Sequence, residues 1–123
     1  MRILLADDDF RTRSIVQLWL ARSGHEVTQA GNGLEALERL HEQPFDALIS
    51  DINMPMLNGL DLVRKLLDDP NRPPLVLLLS SRCDLANVRK EFDRPGIHCR
   101  QKPFRPSELA AFIEQQSIPE TAT

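Results

Sequence analysis

Ile3-Leu4-Leu5-Ala6-Asp7-Asp8 and Ala47-Leu48-Ile49-Ser50-Asp51 carry the reading of this chain. Each is a short apolar run that ends in acid. Uninterrupted apolar runs of this length suit strands of a parallel sheet, which are covered on both faces. If the two runs are neighbouring parallel strands, the carboxylates of Asp7, Asp8 and Asp51 converge at one edge of the sheet. Carboxylates packed so closely repel one another unless a cation lies between them, and hard oxygen ligands suit Mg²⁺. Lys102-Pro103-Phe104 ends a third strand-like segment and brings an ammonium toward the same edge.

Working outward, strand and helix patterns alternate along the whole chain. After residues 2–6 comes a helical pattern over 10–22, with Ile15, Leu18 and Trp19 on one face and Trp19 read as core or boundary packing. Gly24 sits at a helix C-cap position, and residues 25–30 make a weaker strand. Asn32 with Glu35 reads as a capping pair opening a helix that buries Leu34, Leu37 and Leu40, and Pro44 closes the loop after it. The third strand, 47–50, ends at Asp51, and 54–59 is a loop. Leu60, Val63, Leu66 and Leu67 mark a third helix, followed by a proline-rich connector over 68–74. Residues 75–79 read as a central strand, 84–92 as a short charged helix cut off by Pro95-Gly96, and 97–101 as an edge strand. Pro106 suits the first turn of a last helix whose Leu109, Phe112 and Ile113 face inward.

Five β/α repeats imply an α/β fold with a parallel sheet and helices on both faces. In such sheets the ligand site lies beyond the carboxyl ends of the strands. Asp7, Asp8, Asp51, Ser80 and Lys102 all fall just after strand ends. A chain of 123 residues makes one domain, assigned here to 1–117, with 118–123 a polar tail or the start of a linker. With 41% apolar and 27% charged residues, the composition is that of a soluble globular protein. The net charge of -3 argues against direct nucleic-acid binding, and no stretch is long and apolar enough to span a bilayer. The sequence starts directly with a strand, without a basic flank and apolar run that would suggest a signal peptide, and Cys83 and Cys99 lack metal-ligand spacing. The expectation is a cytoplasmic domain with free thiols.

The pieces Leu5-Ala6-Asp7-Asp8, Asp51-Ile52-Asn53-Met54-Pro55 with Gly59, Leu79-Ser80-Ser81 and Lys102-Pro103-Phe104 stand in this order, each after a strand. In them the chain resembles, over nearly its full length, the receiver domain of two-component response regulators. The resemblance implies a flavodoxin-like (βα)5 sandwich with strand order 2-1-3-4-5. It implies that Asp51 is the phosphoacceptor, charged by a histidine kinase or phosphotransfer protein. Asp8 and Asp51 would bind Mg²⁺ directly, Asp7 through water, and Asn53 by its main-chain carbonyl. Ser80 would bond the phosphoryl group, with Ser81 beside it. Lys102, 22 positions after Ser80, would be the cationic partner, usually joined to its proline by a cis peptide bond. Asn53 and Arg82 would tune the phosphoryl lifetime, and slow self-dephosphorylation would reset the switch. The face of the fourth helix, fifth strand and fifth helix would engage an output domain, a partner or a second copy.

Two features depart from the family pattern. Cys99 stands where an aromatic residue is usual, and the segment before it is one residue short. The usual relay from hydroxyl to aromatic ring is thereby altered, and the chain contains no Tyr. A receiver-like docking module that works without phosphorylation is the alternative this suggests. Asp7-Asp8-Asp9 also contains the Asp-x-Asp of aspartyl-phosphate phosphatases, but Arg11 stands where those need a small Thr or Val. Asp9 reads as a helix N-cap, and Ser81 as a turn residue. Arg82, Arg89, Lys90, Arg94 and Arg100 read either as a solvated charged face or as a docking surface. His25, His41 and His98 show no metal spacing.

Overall fold

The computed structural model describes residues 1–80, 85–102 and 104–117. Ser81, Arg82, Cys83, Asp84 at the start of the expected fourth helix, Pro103 and the 118–123 tail lie outside the described residues. Five strands alternate with five helices: β1 (Arg2–Ala6), α1 (Phe10–Arg22), β2 (Glu26–Ala30), α2 (Gly33–Glu42), β3 (Ala47–Asp51), α3 (Gly59–Leu66), β4 (Leu75–Ser80), α4 (Leu85–Glu91), β5 (Ile97–Gln101) and α5 (Pro106–Ser117). All pairings are parallel, in the order β2-β1-β3-β4-β5. This is the doubly wound arrangement expected from the alternation.

The pleat sorts the apolar residues into two cores. Leu4, Ala6, Leu48, Val76 and Leu78 face α2, α3 and α4, where they meet Leu40, Leu62, Leu66 and Phe92. Ile3, Leu5, Ile49, Leu77 and Leu79 face α1 and α5, against Leu20, Leu109 and Ile113. All six residues of β4 are buried. Each fully buried Leu or Ile stabilises by about 1.5–3 kcal/mol relative to exposure, so the central strands are the most firmly held part of the chain.

Local signals set the helix starts. The Asn32 side chain accepts from the Glu35 amide at 2.8 Å, while Glu35 reaches back to accept from the Gly31 amide at 2.6 Å, one residue before the cap. Asn58 caps α3 through the Asp61 amide. Gly24 ends the first helical unit with φ +88°, a conformation that costs glycine little.

Two packing expectations are corrected. On α1, Val16 and Leu20 are buried, whereas Ile15, Leu18 and Trp19 are exposed by 51%, 56% and 39%. The helix carries two apolar stripes at helical spacing, and its entry from β1 turns the narrower one inward. On α2, Leu34 is exposed, and Ala36 with Leu40 takes the core positions, Leu37 being half-buried. The reason is close approach. A Cβ on Gly33 would lie 2.0 Å from the Leu57 carbonyl oxygen, so the helix seats its small residues there.

Candidate functional site

Register decides which acids meet. β1 and β3 pair Ala6 with Ser50, so the next residues, Asp7 and Asp51, emerge side by side at the carboxyl edge. Asp8 follows on the same turn. One carboxylate oxygen from each of Asp7, Asp8 and Asp51 lies within 4.8 Å of the others. Asp7 and Asp51 are buried and Asp8 is exposed. Two like charges about 4 Å apart repel by ~4 kcal/mol at an effective dielectric of 20. That is a sizeable share of a domain's 5–15 kcal/mol stability, so the cluster requires counter-charge.

Part of it comes from Lys102, whose Nζ lies 3.1 Å from Asp51 Oδ2 and 3.8 Å from Asp7 Oδ2. The main chain positions this lysine: the Lys102 amide donates to the Ser80 carbonyl at 2.6 Å, prolonging the β4–β5 ladder. Three carboxylates against one ammonium leave negative charge uncompensated. Burial pushes the Asp7 carboxyl above its ordinary range, and the neighbouring Asp51 and Asp8 charges add to this. The Asp9 amide, which donates to Asp7 Oδ1 at 2.9 Å, and the Lys102 ammonium oppose it.

Asp51 Oδ1 is buried and has no hydrogen-bond partner among the described residues. Buried polar atoms are rarely left in that condition, because the desolvation cost is then uncompensated. An all-oxygen donor set, net negative charge and an orphaned carboxylate oxygen together fit a hard divalent cation. The residues present fit Mg²⁺.

Asp9 stands apart from this cluster. Its Oδ1 accepts from the Arg11 amide and its Oδ2 from the Thr12 hydroxyl, so it caps α1 as its sequence position suggests. Ser80 is buried at the end of β4, one position beyond the Asp51–Leu79 pairing. Asn53 is exposed in the loop after β3. Cys99 is buried against the α4 side of the sheet, where burial raises its thiol pKa. The basic residues separate: Arg94 approaches Asp68 at 3.9 Å, while Arg89 and Arg100 both turn to the Cys99 carbonyl.

Structure adds three supports to the site. Arg13 Nη1 donates to the Asp7 carbonyl at 2.6 Å and its Nε to Gln29 at 3.0 Å, pinning the turn that presents Asp7. A Cβ on Gly59 would lie 2.3 Å from the Asp51 carbonyl oxygen, so only glycine permits α3 to start against β3. A cavity of about 200 Å³ is lined by Asp7, Asp51 and Lys102 together with apolar residues that include Val16, Leu79 and Phe104.

The profile of the response regulator receiver domain matches residues 3–114. The chain belongs to this family. It is 34% identical over 118 residues to the response regulator receiver protein CpdR of Brucella abortus, spanning 95% of this chain and 97% of that one. With the response regulator MprA of Mycobacterium leprae it shares 35% identity over 92% of its own length but 49% of the relative's. The chain thus spans nearly all of one relative and about half of the other. The chemotaxis response regulator CheY4 of Vibrio cholerae superposes with a TM-score of 0.81 at 28% identity, over 93% of this chain and 96% of that one.

Phosphorylation-dependent switching is typical of receiver domains, which are regulatory rather than enzymes in the ordinary sense. Response regulators take phosphate from histidine kinases and regulate output domains. Receivers bind Mg²⁺ through acidic residues, and the Asp7, Asp8 and Asp51 cluster of this receiver is such a set. No helix among the described residues is long and apolar enough to cross a membrane.

Proposed function

We propose that this receiver is switched by phosphorylation of Asp51, with a histidine kinase or phosphotransfer protein as donor. The observation that carries the reading is the pairing of Asp51 Oδ2 with Lys102 beside a buried, unpartnered Oδ1 in the acid cluster. Oδ1 attacks the phosphorus of a phosphohistidine. The P–N bond breaks, its electron pair returns to the imidazole nitrogen, which takes up a proton, and Asp51 becomes an acyl phosphate. Asp8, Asp51 and the Asn53 main-chain carbonyl would hold Mg²⁺ directly and Asp7 through water, and the ion would supply neutralisation of charge on the transferring group. Lys102 follows the new phosphoryl oxygens from its place beside Oδ2, and the Ser80 hydroxyl donates to one of them, with Ser81 next to it. Water attacking in line returns the free carboxylate slowly, at a rate that Asn53 and Arg82 tune.

The receiver unit is residues 1–117, with 118–123 a tail or the beginning of a linker. It works in the cytoplasm, without direct contact to nucleic acid or membrane, and its α4-β5-α5 face engages an output domain, a partner or a second copy. Cys99 favours a second reading, docking that does not depend on phosphorylation. The role of Asp9 as a cap weighs against the phosphatase alternative.

Intact mass after incubation with Mg²⁺ and a small-molecule phosphodonor tests the main reading. One Mg²⁺-dependent phosphoryl adduct is expected, absent from Asp51→Ala. A folded parent protein without adduct would overturn it and leave the docking role.

A further inference from the structure

Arg89 on α4 and Arg100 on β5 direct their guanidinium groups at one main-chain oxygen. Arg89 Nη2 lies 3.3 Å and Arg100 Nη1 2.9 Å from the Cys99 carbonyl. Two full positive charges there share an acceptor that carries only a partial negative charge. Neighbouring arginines are treated differently. Arg64 is held by Glu91 and Asp61, and Arg94 approaches Asp68. Neither Arg89 nor Arg100 has a carboxylate within ion-pair distance among the described residues. Arg100 is further fixed by the Phe112 ring, 5.2 Å from its guanidinium carbon.

The shared carbonyl belongs to an open sheet edge. β5 is the last strand and pairs only with β4. The Gly96 carbonyl accepts from Val76 and the Lys102 amide donates to Ser80, so the even-numbered residues turn their main chain toward β4. In a parallel ladder the alternate residues then point theirs the other way. Cys99 and Gln101 therefore turn N–H and C=O groups to the free edge, while Ile97 turns its C=O there and donates its N–H to the Arg94 carbonyl at 3.2 Å. Beside that edge runs a crevice of about 230 Å³ between α4 and β5, with Phe92 and Ile97 in its wall and Asp93 as its one acid.

We propose that this crevice takes an extended acidic segment of a partner protein, which pairs with the free edge of β5 and places a carboxylate between Arg89 and Arg100. The inference rests on the reading of the α4-β5-α5 face as the partner-facing one, and names the chemistry that face recognises. Charge complementarity selects the occupant: a carboxylate gives each guanidinium a full counter-charge, whereas the carbonyl offers them a shared dipole. Strand addition supplies main-chain bonds, and the arginine pair supplies the choice of partner.

The test is an amide-resolved NMR titration of the isotope-labelled chain with a short peptide alternating glutamate and threonine, beside its glutamine counterpart. Shifts at Ile97, Cys99 and Gln101 are expected from the acidic peptide alone. The Arg89→Gln/Arg100→Gln double variant should bind it about tenfold or more weakly, as expected for a lost charge-assisted pair. Arg105→Gln, outside the crevice, should bind like the parent. Equal binding of the glutamine peptide, shifts confined to other elements, or no binding would overturn the proposal, leaving the arginines as shields of an exposed edge. The phosphoryl adduct is measured on the same samples. An adduct without peptide binding sinks the docking crevice alone, and peptide binding without an adduct sinks the phosphoacceptor reading alone.

Discussion

The acid edge and the α4–β5 edge of this receiver are built by opposite means. Asp7 and Asp51 extend from β1 and β3, strands buried on both faces, and the turns around them are fixed by main-chain bonds and by Arg13. α4 is seven residues long and is tied to α3 by the exposed pair of Arg64 and Glu91, at 2.6 and 2.8 Å. β5 has partly exposed residues and one neighbouring strand. Carboxylates that repel one another must be held by something stiffer than their repulsion. The α4–β5 edge is held instead by an exposed ion pair, and such pairs contribute little to stability.

The sharpest break of that contrast is Asp51→Ala, which should abolish the phosphoryl adduct in intact mass while leaving both edges folded. Gly59→Ala comes next. Its Cβ meets the Asp51 carbonyl oxygen at 2.3 Å, so unfolding in urea should show a loss of roughly 1–3 kcal/mol, with slower phosphorylation. A variant as stable as the parent would mean that the acid edge is not stiff. Asp8→Asn removes an exposed member of the cluster, and calorimetry should show Mg²⁺ affinity down about tenfold or more with the fold intact.

Glu91→Gln should act on the other edge alone. It is expected to speed amide exchange in α4 without changing Mg²⁺ affinity, and an equal effect at β1 and β3 would dissolve the distinction. The smallest effect concerns pH. Burial lowers the pKa of His98 and of His25, the charge of Arg100 adding to the first and that of the amino terminus to the second. The unfolded chain therefore takes up protons at both sites before the folded chain does. Stability should fall as pH drops through about 6.5, and His98→Gln should flatten the slope in thermal melts.

Most of the site was legible because its residues end strands. An apolar run followed by acid places that acid at the carboxyl edge whatever the packing details, and Lys102 follows the same rule. Capping was equally local: Asn32, Glu35 and Asp9 do what their spacing says. The face of α1 was not legible, since Ile15, Leu18 and Trp19 form as good a stripe as Val16 and Leu20. Arg13 gave no signal, because an arginine in a first helical turn is ordinary until its distance to Asp7 is known. The pairing of Arg89 with Arg100 was equally hidden, since eleven positions separate them and only the α4–β5 packing brings them together.

By itself the sequence determined the alternation of strands and helices, the gathering of acids at the carboxyl edge and the family, because periodicity, caps and strand-end acids are short-range properties of the chain. Only the tertiary structure decided register and rotation: that Ala6 pairs with Ser50 and so sets Asp7 beside Asp51, that α1 turns Val16 inward, and that two arginines share one carbonyl. Those outcomes depend on which of several locally equivalent packings buries the most surface around a common sheet, a choice that no segment makes alone.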